Sequence, residues 1–373
     1  MIIKNGQVFS ENGFFQVGDV YIELDKIAEI GNGEVLDATG LYVIPGLTDI
    51  HFHGCVGFDF CDGTKEAIEK MAEYQLNNGI TTICPASMTF SEEQLSAIFA
   101  NAASYSSEQG ATLVGINMEG PFISMEKKGA QNGAFIHRPD ADMFFRLQDK
   151  ANGLIKLVDI APEVEGAMEC IEAISDKVRV SLAHTNADFD VAEEAFAKGA
   201  CHVTHLYNAM PPYTHRAPGV IGAACDNEKV MVELICDGVH SHPATVRTTF
   251  KMFGDDRVIL ISDSMMACGL EDGQYTLGGQ AVTVKGNLAT LTELGNIAGS
   301  VTNLMKCMCK AVKEMKIPLE SAVKCATVNP AKAIGIYDNY GSLTPGKAAD
   351  VVLLDKDLEI QYIIKSGKIV FAK

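Results

Sequence analysis

The sequence predicts an α/β protein: a (β/α)8 TIM-like barrel carrying a small β-sandwich domain formed by both chain ends. Three observations lead there. From Gly46 onward, short apolar runs alternate with longer helical stretches, the pattern of βαβ units and a parallel sheet. Eight such runs occur, and eight strand–helix repeats closing on themselves make a barrel. The two ends read instead as short strands with turns, and neither is long enough for its own core.

The eight runs are LTDIH (47–51), TTICPA (81–86), TLVGINME (112–119), IKLVDIAPE (155–163), VRVSLAH (178–184), CHVTH (201–205), VMVELICD (230–237) and RVILISD (257–263). Helical stretches fall between them, among them TKEAIEKMAEYQLNNG, EEQLSAIFANAASY, VEGAMECIEAIS, DVAEEAFAKG and HPATVRTTFKMFG. Gly79 and Gly199 sit where helix C-caps belong. The division expected is a β-sandwich of 1–45 plus 341–373 around a barrel of 46–340, with a junction at Pro45–Gly46. The runner-up is an open doubly wound sheet. No GxGxxG or Walker loop follows the first run, which argues against that fold in its nucleotide-binding forms.

A chain of 373 residues, 47% hydrophobic, can bury a sizeable core. Its 30 Lys and Arg against 48 Asp and Glu give a formal charge of −18. Such a protein repels nucleic acid and anionic membranes, so a small molecule is the expected partner. An anionic substrate then needs a local basic group. The start, MIIKNGQVFSENG, lacks the apolar region of a signal peptide, and no run approaches the roughly 20 apolar residues of a membrane span. Eleven cysteines scattered through apolar segments read as reduced, mostly buried thiols, and the expected location is cytoplasmic. Cys307 and Cys309 lie at i and i+2 of a helical stretch, where they do not share a face, and read as packing.

In a barrel of this kind the chemistry sits at the C-terminal ends of the strands. The runs there end in HFH, MEGPF, LAH, VTHLYNAM, CDGVH and SDSM, placing His51, His53, Glu119, His184, His205, Asp237, His240 and Asp263 on one rim. Five of the nine histidines fall in these positions, which chance would scatter over the chain. On a strand, residues i and i+2 point to one side, so His51 and His53 can grip one ion while Phe52 turns into packing. Two satisfied histidines at a strand end are the plainer alternative, and Glu119, His184 and His205 at other strand ends weigh against it. Imidazole and carboxylate together suit Zn2+, and also Fe2+ or Mn2+. No thiolate is among them, so an open ion that acidifies water is favoured over a closed structural site. Asp263, after four apolar residues, reads as a ligand or proton carrier, with a helix N-cap as the alternative. His202, three residues before His205, faces the other way and reads as packing or a partner behind the ligands.

These residues resemble the amidohydrolase superfamily: HxH after PGLTD, a carboxylate on the third run, His on the fifth and sixth, Asp on the eighth. EGPF, KKGA, THLYNAMPP, HRAPGVIGAA, DGVHSHP, SDSM, IAGS, TVNPAKAIGI and GSLTPGKAADVVLLD narrow the resemblance to the N-acetylglucosamine-6-phosphate deacetylases, over essentially the whole chain. The resemblance implies a metal-bearing barrel with a β-sandwich from both termini, and removal of acetate from the 2-acetamido group. It implies a metal held by Glu119, His184 and His205, zinc first, with iron, manganese or cobalt as alternatives. The His51–His53 pair then implies a second ion shared through Glu119 and Asp263, or else one ion alone. Asp263 would carry the proton and His240 would steady the carbonyl oxygen. Substrate contacts are expected from Ala130, Gln131, His205, Asn208, Ala209, Arg216, His240, Ile297, Ala298 and Gly299. Arg216 corresponds to the family's phosphate-binding arginine, which can reach the partner subunit's site in a homodimer; its neighbour His215 reads as an exposed loop residue. Two departures stand out. Many members carry a substrate-contacting histidine where this chain has Gln131, and Ser264 stands where alanine is more usual. The rivals are a deacetylase of the galactosamine epimer, another amidohydrolase, and a non-catalytic sugar-phosphate sensor.

Overall fold

The eight apolar runs form short parallel strands in a mixed α/β fold. A computed structural model describes residues 1–106 and 109–373. Leu47–Asp49, Ile80–Ile83 and Thr112–Leu113 make one parallel sheet. Ile116–Met118, Ile155–Ile160, Arg179–Leu182, His202–Val203, Met231–Ile235 and Val258–Ile261 make another, in that order. Almost every residue of these strands is buried, which explains why they read as continuous apolar runs rather than alternating ones.

The third run departs from expectation. It is not one strand over 112–119 but two, Thr112–Leu113 and Ile116–Met118, which pair with different neighbours. The chain bends at Val114 and Gly115, and a Cβ at Gly115 would lie 2.4 Å from the Lys156 side chain. The two sheets meet there through the parallel bridge between Ala86 and Asn117. At their other edges the Asp263 amide donates to the His51 carbonyl at 2.9 Å.

The helices expected between runs are present, including Lys65–Asn77, Glu92–Ser104, Ala167–Ile174, Phe189–Ala197 and Pro243–Phe253. All of these starts but that of Ala167–Ile174, which follows Gly166, are set by polar caps. Thr64 accepts from the Ala67 amide, Asp188 from Val191, and Ser91 and Gln94 form a reciprocal capping box. Gly79 and Gly199 follow two of these helices with φ of 78° and 118°. Ile68, Met71, Ala72 and Leu76 of the first helix all turn into the core, as a helical stripe requires.

Both chain ends join one sheet. Its order runs Lys368–Ala372, Ile360–Lys365, Val351–Leu354, Tyr42–Pro45, Ile2–Phe9, Phe15–Glu23 and Lys26–Ala28, with Val35–Asp37 alongside Ile2–Phe9. Ends far apart in sequence meet where Val352 pairs with Ile44. Alternation along these two strands serves two cores. Val43, Val351 and Leu353 face the sheet's own cluster, while Ile44, Val352 and Leu354 face the main one. Pro45–Gly46 is no spacer: the Gly46 amide donates to Asp350 and the next strand starts at Leu47.

One element has no counterpart among the expectations. Gly273–Leu277, Gln280–Lys285 and Leu288–Leu291 form an antiparallel meander after the eighth run, with a cluster of Leu277, Val282, Val284 and Leu291 packed on Met88 and Met265. All eleven cysteines are free thiols. Among the described residues no helix is long and apolar enough to cross a membrane.

Candidate active site

The polar residues at the strand ends lie just beyond the strands themselves. His51 follows Asp49 by two positions, His184 follows Leu182, His205 follows Val203 and Asp263 follows Ile261, each by the same count; Glu119 follows Met118 directly. The prediction that HFH shares a strand face is corrected accordingly: both histidines are in the loop, with rings 5.5 Å apart and nearly perpendicular. They still converge, because the backbone is fixed from the opposite side, the His53 amide donating to the Ser264 carbonyl at 2.7 Å. Phe52 is fully buried between them, as expected. Gly54 leaves no room for a side chain, since a Cβ there would lie 2.2 Å from the Phe58 carbonyl oxygen. His184, His205, Ala209 and Asp263 have φ of 45°, 29°, 51° and 48°. Four non-glycine residues in the left-handed region at one strand rim mark backbone strain held by the surrounding structure.

Glu119 is the centre. Its Oε1 lies 3.0 Å from His184 Nε2, 3.2 Å from His205 Nε2 and 3.6 Å from His51 Nε2. Its Oε2 lies 3.3 Å from His53 Nε2. Asp263 Oδ1 lies 3.3 Å from His53 Nε2 and 3.7 Å from His51 Nε2. Two groups result, Glu119 with His184 and His205, and Asp263 with His51 and His53. In each, the ligand atoms lie within 4.8 Å of one another.

The chemistry of these donors fits a cation. His184 Nδ1 faces the Lys127 carbonyl at 2.8 Å and His53 Nδ1 faces the Ala86 carbonyl at 3.3 Å. A carbonyl only accepts, so each Nδ1 carries the hydrogen and each Nε2 presents a lone pair. Those lone pairs then face carboxylate oxygens, and the Nε2 atoms of His184 and His205 face each other at 3.2 Å. Acceptors facing acceptors in a buried site need a positive charge between them. His51 Nε2 is likewise buried without a hydrogen-bond partner. Burial opposes charge on His51, but Glu233 and then Glu119 outweigh it and raise its pKa well above the usual value. Burial also opposes charge on Glu119, yet the imidazoles of His184, His205 and His51 gathered around it hold its pKa well below the carboxylate range. The field that draws a proton onto His51 draws a divalent ion for the same reason.

Glu233 went unnoticed in the sequence. It is fully buried and joins three site elements: Oε2 to His51 Nδ1 at 3.0 Å and to the His205 amide at 3.2 Å, Oε1 to His202 Nε2 at 3.1 Å. Despite its burial, His51 and His202 hold its pKa at about 2. His202 thus packs behind Glu233 and reaches the ligands only through it. The signal for Glu233 was a lone charge inside the apolar run VMVELICD.

His240 has its Nδ1 against Asp237 Oδ2 at 2.8 Å, while Asp237 Oδ1 accepts from the Val239 and His240 amides. Burial disfavours the charged imidazole, but Asp237 prevails and raises its pKa. A cavity of about 430 Å³ opens above these groups. His53, Glu119, His184, His205, His240, Asp263, Ala130, Gln131, Asn208, Ala209, Ile297 and Gly299 line it; so do Lys127, the first residue of KKGA, and Glu126, which the sequence did not single out. Ala298 is buried behind the wall. Arg216 does not line the cavity: it and His215 are exposed on the loop before Pro218.

The amidohydrolase family pattern matches residues 42–370. The chain belongs to the amidohydrolase family. The family is metal-dependent, and the two side-chain groups of this amidohydrolase could each hold an ion. A Bacillus subtilis (strain 168) protein named N-acetylglucosamine-6-phosphate deacetylase is 36% identical, over 100% of this chain and 97% of its own. The Homo sapiens protein of the same name is 31% identical over 99% and 94%. Among solved structures, a variant of the Mycobacterium smegmatis N-acetyl-D-glucosamine-6-phosphate deacetylase in complex with N-acetyl-D-glucosamine 6-phosphate superposes with a TM-score of 0.92. It is 31% identical and covers 100% of this amidohydrolase and 99% of its own chain.

Proposed function

We propose that this chain hydrolyses the acetamide of N-acetyl-D-glucosamine 6-phosphate, giving D-glucosamine 6-phosphate and acetate. The observation that carries the reading is Glu119, set between two histidine groups at the floor of a cavity whose rim also holds His240 and Asp263. Full-length relatives that carry this activity in their names support it. The sheets and helices are read as one (β/α)8 barrel of 46–340, joined through the Ala86–Asn117 bridge and the Asp263–His51 hydrogen bond; 1–45 and 341–373 are read as the small β domain, built on a single eight-stranded sheet where two packed sheets were expected.

Glu119, His184 and His205 would hold one divalent ion, and His51, His53 and Asp263 a second; zinc suits this set best, with iron, manganese or cobalt as alternatives. Such an ion supplies Lewis acidity, polarising a carbonyl and bringing the pKa of water toward neutrality. Asp263 takes the proton from the attacking water and delivers it to the amide nitrogen as the C–N bond breaks. His240, whose protonated form Asp237 favours, donates to the carbonyl oxygen as negative charge grows there. Ala130, Asn208, Ala209, Ile297 and Gly299 contact the sugar, with Ala298 shaping the wall behind. Arg216 makes no hydrogen bond or ion pair among the described residues, which suits an arginine that completes the partner's site in a homodimer. Location in the cytoplasm agrees with eleven free thiols.

The test is acetate release from N-acetylated glucosamine and galactosamine, each with and without the 6-phosphate. The reading requires turnover of the phosphorylated gluco sugar above the other three. Preference for the galacto epimer would favour the second deacetylase reading, and binding without acetate release would favour a sensor.

A further inference from the structure

Gln131 sits where a sugar contact is expected, yet both ends of its amide are already engaged. Its Oε1 accepts from the Thr89 backbone amide at 2.7 Å, and its Nε2 donates to Glu119 Oε2 at 2.7 Å. The orientation is forced. A backbone N–H can only donate and an ionised carboxylate can only accept, so the amide cannot be reversed without losing both bonds. The residue is 1% exposed, although it borders the cavity. A substrate therefore meets little of it.

The segment around it has the same purpose. Lys127, four positions earlier, offers the carbonyl that orients His184 through Nδ1. Gly129 lies in contact range of the same ring, a Cβ there standing 3.4 Å from His184, and its φ of 55° suits glycine. Gln280, just after the first turn of the meander, donates to the Ala130 carbonyl, and the Gln131 amide donates back to the Lys128 carbonyl at 2.8 Å. The five residues KKGAQ thus form a strap, pinned from outside by the meander, that orients a histidine at one end and a carboxylate at the other. With Nε2 on Oε2, the carboxylate of Glu119 is fixed with Oε1 toward His184 and His205 and Oε2 toward His53. That is the rotation in which one carboxylate serves both groups.

We infer that Gln131 is a positioning residue that sets Glu119 for divalent-ion binding, rather than a contact for the sugar. This rests on the metal reading above and specifies which residue outside the ligand set controls it. Groups that orient ligands typically change metal affinity by about 10–100-fold when removed.

The experiment compares the wild type with Gln131→Met, which keeps the buried volume without a donor, and Gln131→Ala. Metal-free protein is titrated with Zn2+ against a chromogenic chelator. KM for N-acetyl-D-glucosamine 6-phosphate is then measured at saturating Zn2+. The expected result is Zn2+ affinity lowered about 10–100-fold in both variants, with KM within about twofold of wild type once the metal is saturating. Unchanged Zn2+ affinity overturns the inference, and so does a KM raised tenfold at saturating metal. Failure of the wild type to take up Zn2+ would sink the metal reading itself, a result separate from a wild type that binds and variants that bind equally well.

Discussion

The two histidine groups have the same composition, two imidazoles and a carboxylate, but they are supported differently. His184 is oriented by a loop carbonyl, that of Lys127, and Glu119 by the side chain of Gln131. His51 is oriented by a carboxylate of the core, Glu233, which also reaches His202. The strap supports His184 and Glu119, whereas in the other group the buried charge of Glu233 supports His51 and the Ala86 carbonyl supports His53. A neutral carbonyl fixes the direction of a ring. A carboxylate fixes direction and also adds negative potential behind the ligand, which makes the imidazole more basic. The difference teaches that like histidines can be supported from separate parts of the chain, while Glu119, held by the strap and facing both groups, couples them.

The strongest way to break this comparison is to remove the acid–base group and leave the strap group alone. Asp263→Asn is expected to lower acetate turnover by about a hundredfold to ten-thousandfold. The Glu119, His184 and His205 group should keep its ion, as metal analysis of the purified variant would show. Substantial retained turnover would contradict the proton-carrier role. His240→Gln tests the carbonyl side and is expected to cost about 100–1,000-fold in kcat, with little change in metal content; a normal kcat would remove His240 from the reaction.

Glu233→Gln sharpens the contrast between supports. It removes the charge behind His51 and is expected to weaken ion binding at the Asp263 group by about 10–100-fold. Stepwise Zn2+ titration should show one affinity falling and the other holding. Equal loss at both would mean that Glu233 does not act chiefly through His51. The smallest effect concerns pH. Asp237 raises the His240 pKa, so the charged imidazole is favoured in the folded protein and its stabilising contribution is complete below the unfolded value near 6.5. That contribution is lost as pH rises through the folded pKa. Above it, Nδ1–H still serves Asp237 and Nε2 has no hydrogen left for the carbonyl, so kcat/KM falls on the alkaline side. Asp237→Asn should move that limb to lower pH; an unmoved limb would assign it to another group.

Much of this was legible because strand ends in such folds carry ionisable residues directly after apolar runs. Glu119, His184 and Asp263 each stand as the first charge or imidazole after a hydrophobic stretch, while His51, His53 and His205 follow closely on Asp49, His51 and His202 at the ends of their runs. Glu233 was hidden because it lies inside such a stretch, where an inward-pointing charge is visible only once its partners are placed. The bend at Gly115 was hidden too, since an apolar run does not reveal that its halves pair with different neighbours. The meander had a readable signal that was passed over. LGGQ and KGNL are short Gly-containing turns between alternating residues, with Gly278, Gly279 and Gly286 all at positive φ. The role of Gln131 needs three dimensions, because Thr89 and Glu119 are distant in sequence and meet only across the strap.

The central claim is that Glu119 is shared between two ion positions. The most direct measurement is an anomalous-difference map from crystals of the Zn2+-loaded wild type. The account predicts two peaks per chain, one in the group of Glu119, His184 and His205, the other in the group of His51, His53 and Asp263, with the Glu119 carboxylate beside both. A single peak with the Asp263 group empty at saturating Zn2+, or peaks at neither group, would contradict it.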